Sequence, residues 1–452
     1  MEYNKKLVTD LQNLEGKRVL LRCDFNVPID KKTGLISDTT RVDSALQTIN
    51  YLLEKNAKVI LLSHLSRIKK MEDITSNKKS LEIVFNYLKT KLPSIEITFE
   101  KDNKSKDLLE KSKNMKNKSI MLLENTRYAD LDAKGELVKH ESKNEPSLGK
   151  FWASLGDVFV NDAFGTSHRS HASNVGIAKN VKESAIGFLV DRELKNLSKA
   201  VNNPAHPVVA IFGGAKISDK VDSIRHIGKF ADKILIGGGM SYSFLKVQGY
   251  EIGESLFDPS TEETTKELLA EFKDKLVLPV DVLCAESYES TKGKVYKANA
   301  IPKNMSGFDI GKKTIKEFNK IIKNTKTVIW NGPVGAFENP AFSRGTMKIC
   351  KMLGKATIKN NAFTVIGGGD SAAAAHKSGW ADFISHISTG GGASLEFFSG
   401  IALPGIVAIQ DKNEKVVEPK AETTSKKVET EKKSTTAKKT ETTAKKVKVV
   451  KK

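Results

Sequence analysis

Cysteine is scarce. Cys23, Cys284 and Cys350 are the only three in 452 residues, far apart and without metal-ligand spacing. An odd, scattered set argues against a disulfide framework and for reduced, intracellular thiols. No stretch approaches the roughly 18 consecutive apolar residues of a bilayer span. The N-terminal MEYNKKLVTD lacks the apolar core of a secretory signal, and the final Val-Lys-Lys matches neither common receptor-read address. A soluble, cytoplasmic chain is expected. Two nucleotide fingerprints are missing as well: GGAKISDK (Gly213 to Lys220) is not a Walker-type loop, and no G-x-G-x-x-G opens a helix after a strand. A P-loop enzyme and a nicotinamide dehydrogenase both lose their main support.

What is present is ample core material, 39% hydrophobic residues with 28% charged and 32 glycines, in a chain long enough for roughly two to three compact units. The formal charge of +20 is unevenly spread. From Asp411 to Lys452 there are fourteen lysines against seven acidic residues, no aromatic residue and no glycine, and the near-repeats TTSKK, TTAKK and TTAKK. Such a composition cannot bury a core. Residues 411–452 are expected to form a disordered Lys-rich tail, for which two roles fit: solubility, or weak binding to a polyanion such as nucleic acid or an anionic surface.

Before that tail, short β-branched apolar runs alternate with glycine or polar clusters and longer helical stretches. Strands are expected at Arg18 to Arg22, Lys58 to Ser63, Ser119 to Glu124 and Asp157 to Asn161 in the first half. In the second they fall at Val208 to Phe212, Lys233 to Ile236, Thr327 to Trp330 and Thr364 to Ile366. Runs apolar on consecutive residues suit parallel sheets covered on both faces. The fold class is α/β, with two such sheets.

In open α/β sheets ligands bind beyond the carboxyl ends of the strands. There the two halves differ. The first carries Asp24 and Asn26, His64 and Arg67, Arg127, then Asp162, His168, Arg169 and His171, with Arg41 in the polar stretch SDTTRVD before a helix. One arginine would suggest a surface ion pair. Recurrence at successive strand ends suggests a site for a small, multiply charged phosphate or carboxylate, whose oxygens match the guanidinium fork. The second half carries GGAK, GGGM, NGPVGAFE and GGGDS at the corresponding places. There the backbone can approach a ligand and helix N-termini can meet phosphates. Lys216 and Lys220 would share a side of a helix beginning near Ser218. Asp370 suits either an N-cap or an outer ligand of Mg2+. An anion pocket and a phosphate cradle on separate sheets suggest phosphoryl transfer between two bound partners. That requires the sites to meet, and hence a hinge.

The strings DFNVP (Asp24 to Pro28), SHLSR (Ser63 to Arg67), LLENTRY (Leu122 to Tyr128), NDAFGTSHRSHAS (Asn161 to Ser173), GGAKISDK, GGGMSYSFL (Gly237 to Leu245), WNGPVGAFE (Trp330 to Glu338), GGGDSAAA (Gly367 to Ala374) and STGGGASLEF (Ser388 to Phe397) occur in this order. Together they resemble the phosphoglycerate kinase family over residues from about 5 to 410. The resemblance implies two Rossmann-like three-layer lobes joined by a hinge helix. Their expected bounds are 1–186, completed by about 391–410, for phosphoglycerate, and 187–390 for the nucleotide; the helix falls at about Asp191 to Val201. It implies reversible transfer of the acyl phosphate of 1,3-bisphosphoglycerate to MgADP, giving 3-phosphoglycerate and MgATP, in a monomer. Carried onto this sequence, Asp24, Phe25, Asn26, Arg41, His64, Leu65, Ser66, Arg67, Arg127 and Arg169 would bind phosphoglycerate. Gly213, Lys216, Lys220, Gly237, Gly307, Glu338, Gly368, Gly369, Asp370 and Ser371 would bind the nucleotide, with Glu338 on the ribose and Asp370 on Mg2+. Arg41 and Lys216, with the amides of Gly390 to Gly392, would stabilise the migrating phosphoryl group. One departure stands out: where the family has HLGRP, this chain reads His64-Leu65-Ser66-Arg67-Ile68.

Overall fold

The computed structural model describes residues 3–413; the expected tail therefore lies, from residue 414 onward, outside the described residues. Six parallel strands form the first sheet: β1 (Arg18–Arg22), β2 (Lys58–Leu62), β3 (Ile97–Glu100), β4 (Ser119–Leu123), β5 (Val158–Asn161) and β6 (Ser184–Ile186). They lie in the order β3-β4-β2-β1-β5-β6. The second half supplies β7 (Val208–Phe212), β8 (Lys233–Ile236), β9 (Glu251–Ile252), β10 (Leu276–Val277), β11 (Asp281–Ala285), β12 (Lys294–Lys297), β13 (Ala300–Ile301), β14 (Ser306–Ile310), β15 (Thr327–Asn331), β16 (Phe363–Gly367) and β17 (His386–Ile387). Six of these make a second parallel sheet in the order β10-β8-β7-β15-β16-β17. An antiparallel sheet, β12-β11-β14, and the pair β13-β9 were not expected from the sequence.

All eight expected strands are present, and they are the four inner strands of each parallel sheet. Inner strands such as β4, β7 and β15 are buried along their whole length, because helices cover both faces. Of the four unexpected edges, β3, β10 and β17 are only partly buried and two to four residues long, and β6 is buried but only three residues long. Trp330 on β15 is fully buried and its indole N–H donates to the Gly332 carbonyl at 2.7 Å, so one core side chain also pins the loop that follows. Truncating such a residue costs about 3–5 kcal/mol.

In each sheet the chain reverses direction beside its founding strand, between β1 and β5 and between β7 and β15. These are the crevices where a doubly wound sheet receives ligands. The halves are bridged by the helix Phe188–Val201, three residues longer at its start than expected. The reason is Asp162: its buried carboxylate accepts from the amides of Leu189 and Val190 at 2.9 and 3.1 Å and so starts the helix early. Leu194, Leu197 and Ala200 are buried along one stripe in the core that includes Ile329 of β15 and Val365 of β16, and the helix as a whole also touches the helix Thr40–Glu54. Beyond the helix Gly392–Phe398 the chain returns to the first sheet. The Gly405 carbonyl accepts from Asn161, the Ile409 carbonyl accepts from Lys5, and Gln410 bonds with Ser184.

Candidate active site

Beside β1, the Asp24 carboxylate is paired with the Arg41 guanidinium. Gly165, after β5, leaves room for this pair, since a Cβ there would lie 2.5 Å from Asp24 Oδ2. Arg41 stands in the first turn of the helix Thr40–Glu54 rather than in a loop before it. Asp38 accepts from the Thr40 amide at 2.9 Å and nucleates the helix earlier than the polar sequence suggested. Phe25 is buried and its amide donates to Ser63. Asn26 accepts from the Ser66 amide at 2.7 Å, and Arg127 donates to the Ser66 carbonyl at 2.6 Å. Asn125 bonds both backbone groups of Leu65. Ser66, in place of the family glycine, has φ +59°, a left-handed conformation in which glycine is unstrained. Arg67 and Arg169 are exposed.

The histidines here are neutral. Burial, then Arg127 and Arg22, hold His64 well below its ordinary range. Burial, then Arg169, lowers His168 to about 4; burial, then Arg22, lowers His171 to about 3. Arg127 is pushed down to about 10, by burial and then by Arg22 and Arg169, and so stays charged at neutral pH. An anion in this crevice would meet arginine charge and histidine hydrogen bonds.

On the second sheet a cavity of about 240 Å³ is lined by Lys220, Asn331, Gly332, Gly368, Gly369, Asp370, Ser371, Gly391, Gly392 and Leu395. Seven of these ten were candidates from the sequence. Asn331 opens the string NGPVGAFE, which was read for its glycines, so it was not singled out; its carboxamide oxygen accepts from Lys220 at 2.5 Å while its Nδ2 has no partner. Lys220 precedes a helix that begins at Val221, not near Ser218, because Ile217 to Lys220 closes a turn. Lys216 and Lys220 therefore do not share a helix face, and Lys216 is exposed outside the cavity wall. Asp370 lies in the first turn of the helix Gly369–Lys377, whose N-cap is Gly368; the N-cap reading is corrected. Gly390 donates to Ser388, so Gly391 and Gly392 are the glycines of that run facing the cavity.

Gly213, Gly237 and Gly307 stand apart from the cavity, each closed by protein. A Cβ would meet the Pro333 carbonyl oxygen at 2.2 Å, Val334 Cβ at 2.7 Å and the Tyr242 hydroxyl at 2.0 Å, respectively. Glu338 is exposed, six residues beyond Gly332. That glycine has φ +92°, and a Cβ on it would meet the Gly213 carbonyl oxygen at 2.2 Å.

The two halves share a wall. A Cβ on Gly392 would lie 3.1 Å from His168 Nε2, and one on Gly390 would lie 2.4 Å from Phe164. The loop that closes the glycine-lined cavity is therefore packed on the segment that carries Arg169 and cradles the Asp24–Arg41 pair.

Comparison with known proteins fits this geometry. A family model described as phosphoglycerate kinase matches residues 8–401. The chain belongs to the phosphoglycerate kinase family. It is 63% identical over 427 residues to the phosphoglycerate kinase of Malacoplasma penetrans, covering 94% of this chain and 91% of that one. It is 52% identical to that of Mycoplasmoides gallisepticum, covering 91% of this chain and all of the other. Among solved structures it is similar to the phosphoglycerate kinase of Coxiella burnetii, with a TM-score of 0.77 at 36% identity, covering 89% of this chain and 98% of that chain. It also resembles that of Pyrococcus horikoshii, with a TM-score of 0.75 at 29% identity over 90% and 99%. Membership makes the chain a glycolytic kinase and carries the fold class read from the sequence. Among the described residues no helix is long and apolar enough to cross a membrane.

Proposed function

We propose that the chain transfers the acyl phosphate of 1,3-bisphosphoglycerate to MgADP, reversibly, with phosphoglycerate on the first sheet and nucleotide on the second. The observation that carries this reading is the shared wall: Gly391 and Gly392 line the cavity with Lys220 and Asp370, while Gly392 abuts His168 of the first half. The lobes would be residues 1–186, completed by 391–410, and 187–390, turning about the helix Phe188–Val201.

An acyl phosphate is a ready donor and a nucleotide phosphate a competent nucleophile, so the residues position the reactants and stabilise charge. In this reading Asp24, Phe25, Asn26, His64, Leu65, Ser66, Arg67, Arg127 and Arg169 hold the three-carbon substrate. Arg41 leaves its pairing with Asp24 to meet the migrating group. Lys216, exposed and free to swing, reaches it from the other side, and the amides of Gly391 and Gly392 add donors. Lys220, Asn331 and the run Gly368 to Ser371 hold phosphates, and Glu338 the ribose, while Gly213, Gly237 and Gly307 act only by letting neighbouring backbone and side chains pack close behind the site.

Mg2+ fits Asp370. Among the described residues no cluster of three or more His, Cys, Asp or Glu side chains could hold a metal. A single carboxylate beside a phosphate cradle is what an ion that keeps several waters and leans on substrate oxygens requires. When bound, it would neutralise the charge of the nucleotide phosphates. A cytoplasmic monomer completes the proposal, with weak polyanion binding by the lysine-rich tail. ATP formation from 1,3-bisphosphoglycerate and ADP, followed spectrophotometrically with and without Mg2+, tests the activity. Absence of metal-dependent ATP formation would refute the reading. Equal indifference of full-length and 1–410 protein to polyanions at low salt would refute the tail's role.

A further inference from the structure

Beneath the first crevice lies a buried polar chain that the proposed reaction does not use. Arg22 on β1 is 1% exposed and Glu141, in the segment between β4 and β5, is 0% exposed. They are linked through Ser173, itself buried. Arg22 Nε donates to Ser173 Oγ at 2.8 Å. That hydroxyl donates its one proton to Glu141 Oε1 at 2.5 Å, and the Ser173 amide donates to Glu141 Oε2 at 2.9 Å. The other end of the guanidinium is equally committed: Nη1 donates to the Cys23 carbonyl, and Nη2 lies 3.3 Å from His64 Nδ1.

The direction of that last bond follows from chemistry. A guanidinium can only donate, so His64 Nδ1 must accept, and a neutral imidazole then carries its single proton on Nε2. Burial and the surrounding arginines keep the ring neutral. Its free edge thus presents an N–H rather than a lone pair, the form that an anionic oxygen requires. A buried guanidinium holds such an orientation only while its charge is compensated and its donors are satisfied. Glu141 supplies both, as charge and as the end of the hydrogen-bond relay.

We propose that Glu141 is a positioning residue for the phosphoglycerate pocket: through Ser173 it fixes Arg22, and Arg22 fixes His64 as the Nε2–H tautomer. The proposal rests on the reading that His64 faces phosphoglycerate.

The test is a long-range 1H–15N correlation spectrum of the substrate-free enzyme, with His64 assigned from its loss in His64→Ala. The expected wild-type signature is a protonated Nε2 and an unprotonated Nδ1. In Glu141→Gln, and in Ser173→Ala, which deletes only a hydroxyl and keeps the fold testable, His64 is expected to become a tautomer mixture. KM for 3-phosphoglycerate should then rise about tenfold, the scale of one lost charge-assisted hydrogen bond. kcat and KM for MgATP should change by less than about threefold, whereas simple loss of folded enzyme would lower the apparent kcat and leave both KM values unmoved. A wild-type His64 protonated on Nδ1, or variants that keep the wild-type tautomer and KM, would overturn the proposal. An intact tautomer effect with an unchanged phosphoglycerate KM in His64→Ala would instead refute the placement of the substrate and leave the relay standing.

Discussion

The two halves build their candidate sites by different means. The first relies on side chains held from below: Asn26, Arg127 and Asn125 bond the Leu65–Ser66 backbone, and Arg22 is locked into a buried relay. The second relies on backbone packed so closely that a single added carbon would collide with its neighbours, as at Gly213 and Gly332. Lys216, proposed to meet the migrating group, stands exposed. The difference teaches where each half is fragile: the first to loss of a functional group, the second to gain of a methyl.

The largest effect should come from deleting charge at the proposed meeting point. Arg41→Ala or Lys216→Ala is expected to lower kcat at least about a hundredfold, the scale of one lost electrostatic donor. Near-normal turnover in either would remove that residue from the mechanism. Gly332→Ala comes next. It combines a positive φ with a 2.2 Å collision on backbone, so a stability loss above about 2 kcal/mol and a raised nucleotide KM are expected, with the phosphoglycerate KM unchanged. Denaturant melts and steady-state kinetics check both parts, and a rise confined to the phosphoglycerate KM would invert the assignment of the halves.

Two histidines of the first half and one carboxylate of the second should respond oppositely to pH. His168 and His171 bind protons more weakly folded, at about 4 and about 3, than unfolded at about 6.5. Their contribution is present above that value and lost as pH falls toward 4 and then 3. Asp309 on β14 is pushed up to about 8 by burial, so it binds its proton more tightly folded. Its contribution is present below the ordinary carboxylate value of about 4 and lost as pH rises through 8. Thermal melts across pH should lose part of their rise between about pH 3 and 6.5 in His171→Gln and part of their fall between about pH 4 and 8 in Asp309→Asn. Unchanged slopes would count against these buried environments. The smallest effect is a gain: Ser66→Gly relieves a left-handed serine and should stabilise by up to about 1 kcal/mol, measurable by urea titration.

What could be read beforehand followed burial. Strands covered on both faces announce themselves as unbroken apolar runs, which is why the inner strands of both sheets were legible while the short edges β10 and β17 were not. Residues at strand ends were legible because their polarity interrupts those runs. Arg22 and Glu141 were not, since a polar residue inside a strand or an unpatterned loop gives no local sign of the partner that satisfies it; Asn331 stood in a strand-end cluster read for its glycines. Lys216 and Lys220 were placed on one helix face because ISDK looks like a helix start; the turn that ends at Lys220 is set by packing of Ile217, which is buried.

In the proposed mechanism the two halves close on their ligands. Spin labels on Leu35→Cys and Leu256→Cys, at sites 65% and 60% exposed in a chain whose native cysteines are buried, would report it through their pair distance. The distance is expected to be shorter with phosphoglycerate and Mg-nucleotide together than with either alone. An unchanged distance in a doubly labelled protein that still turns over would contradict it.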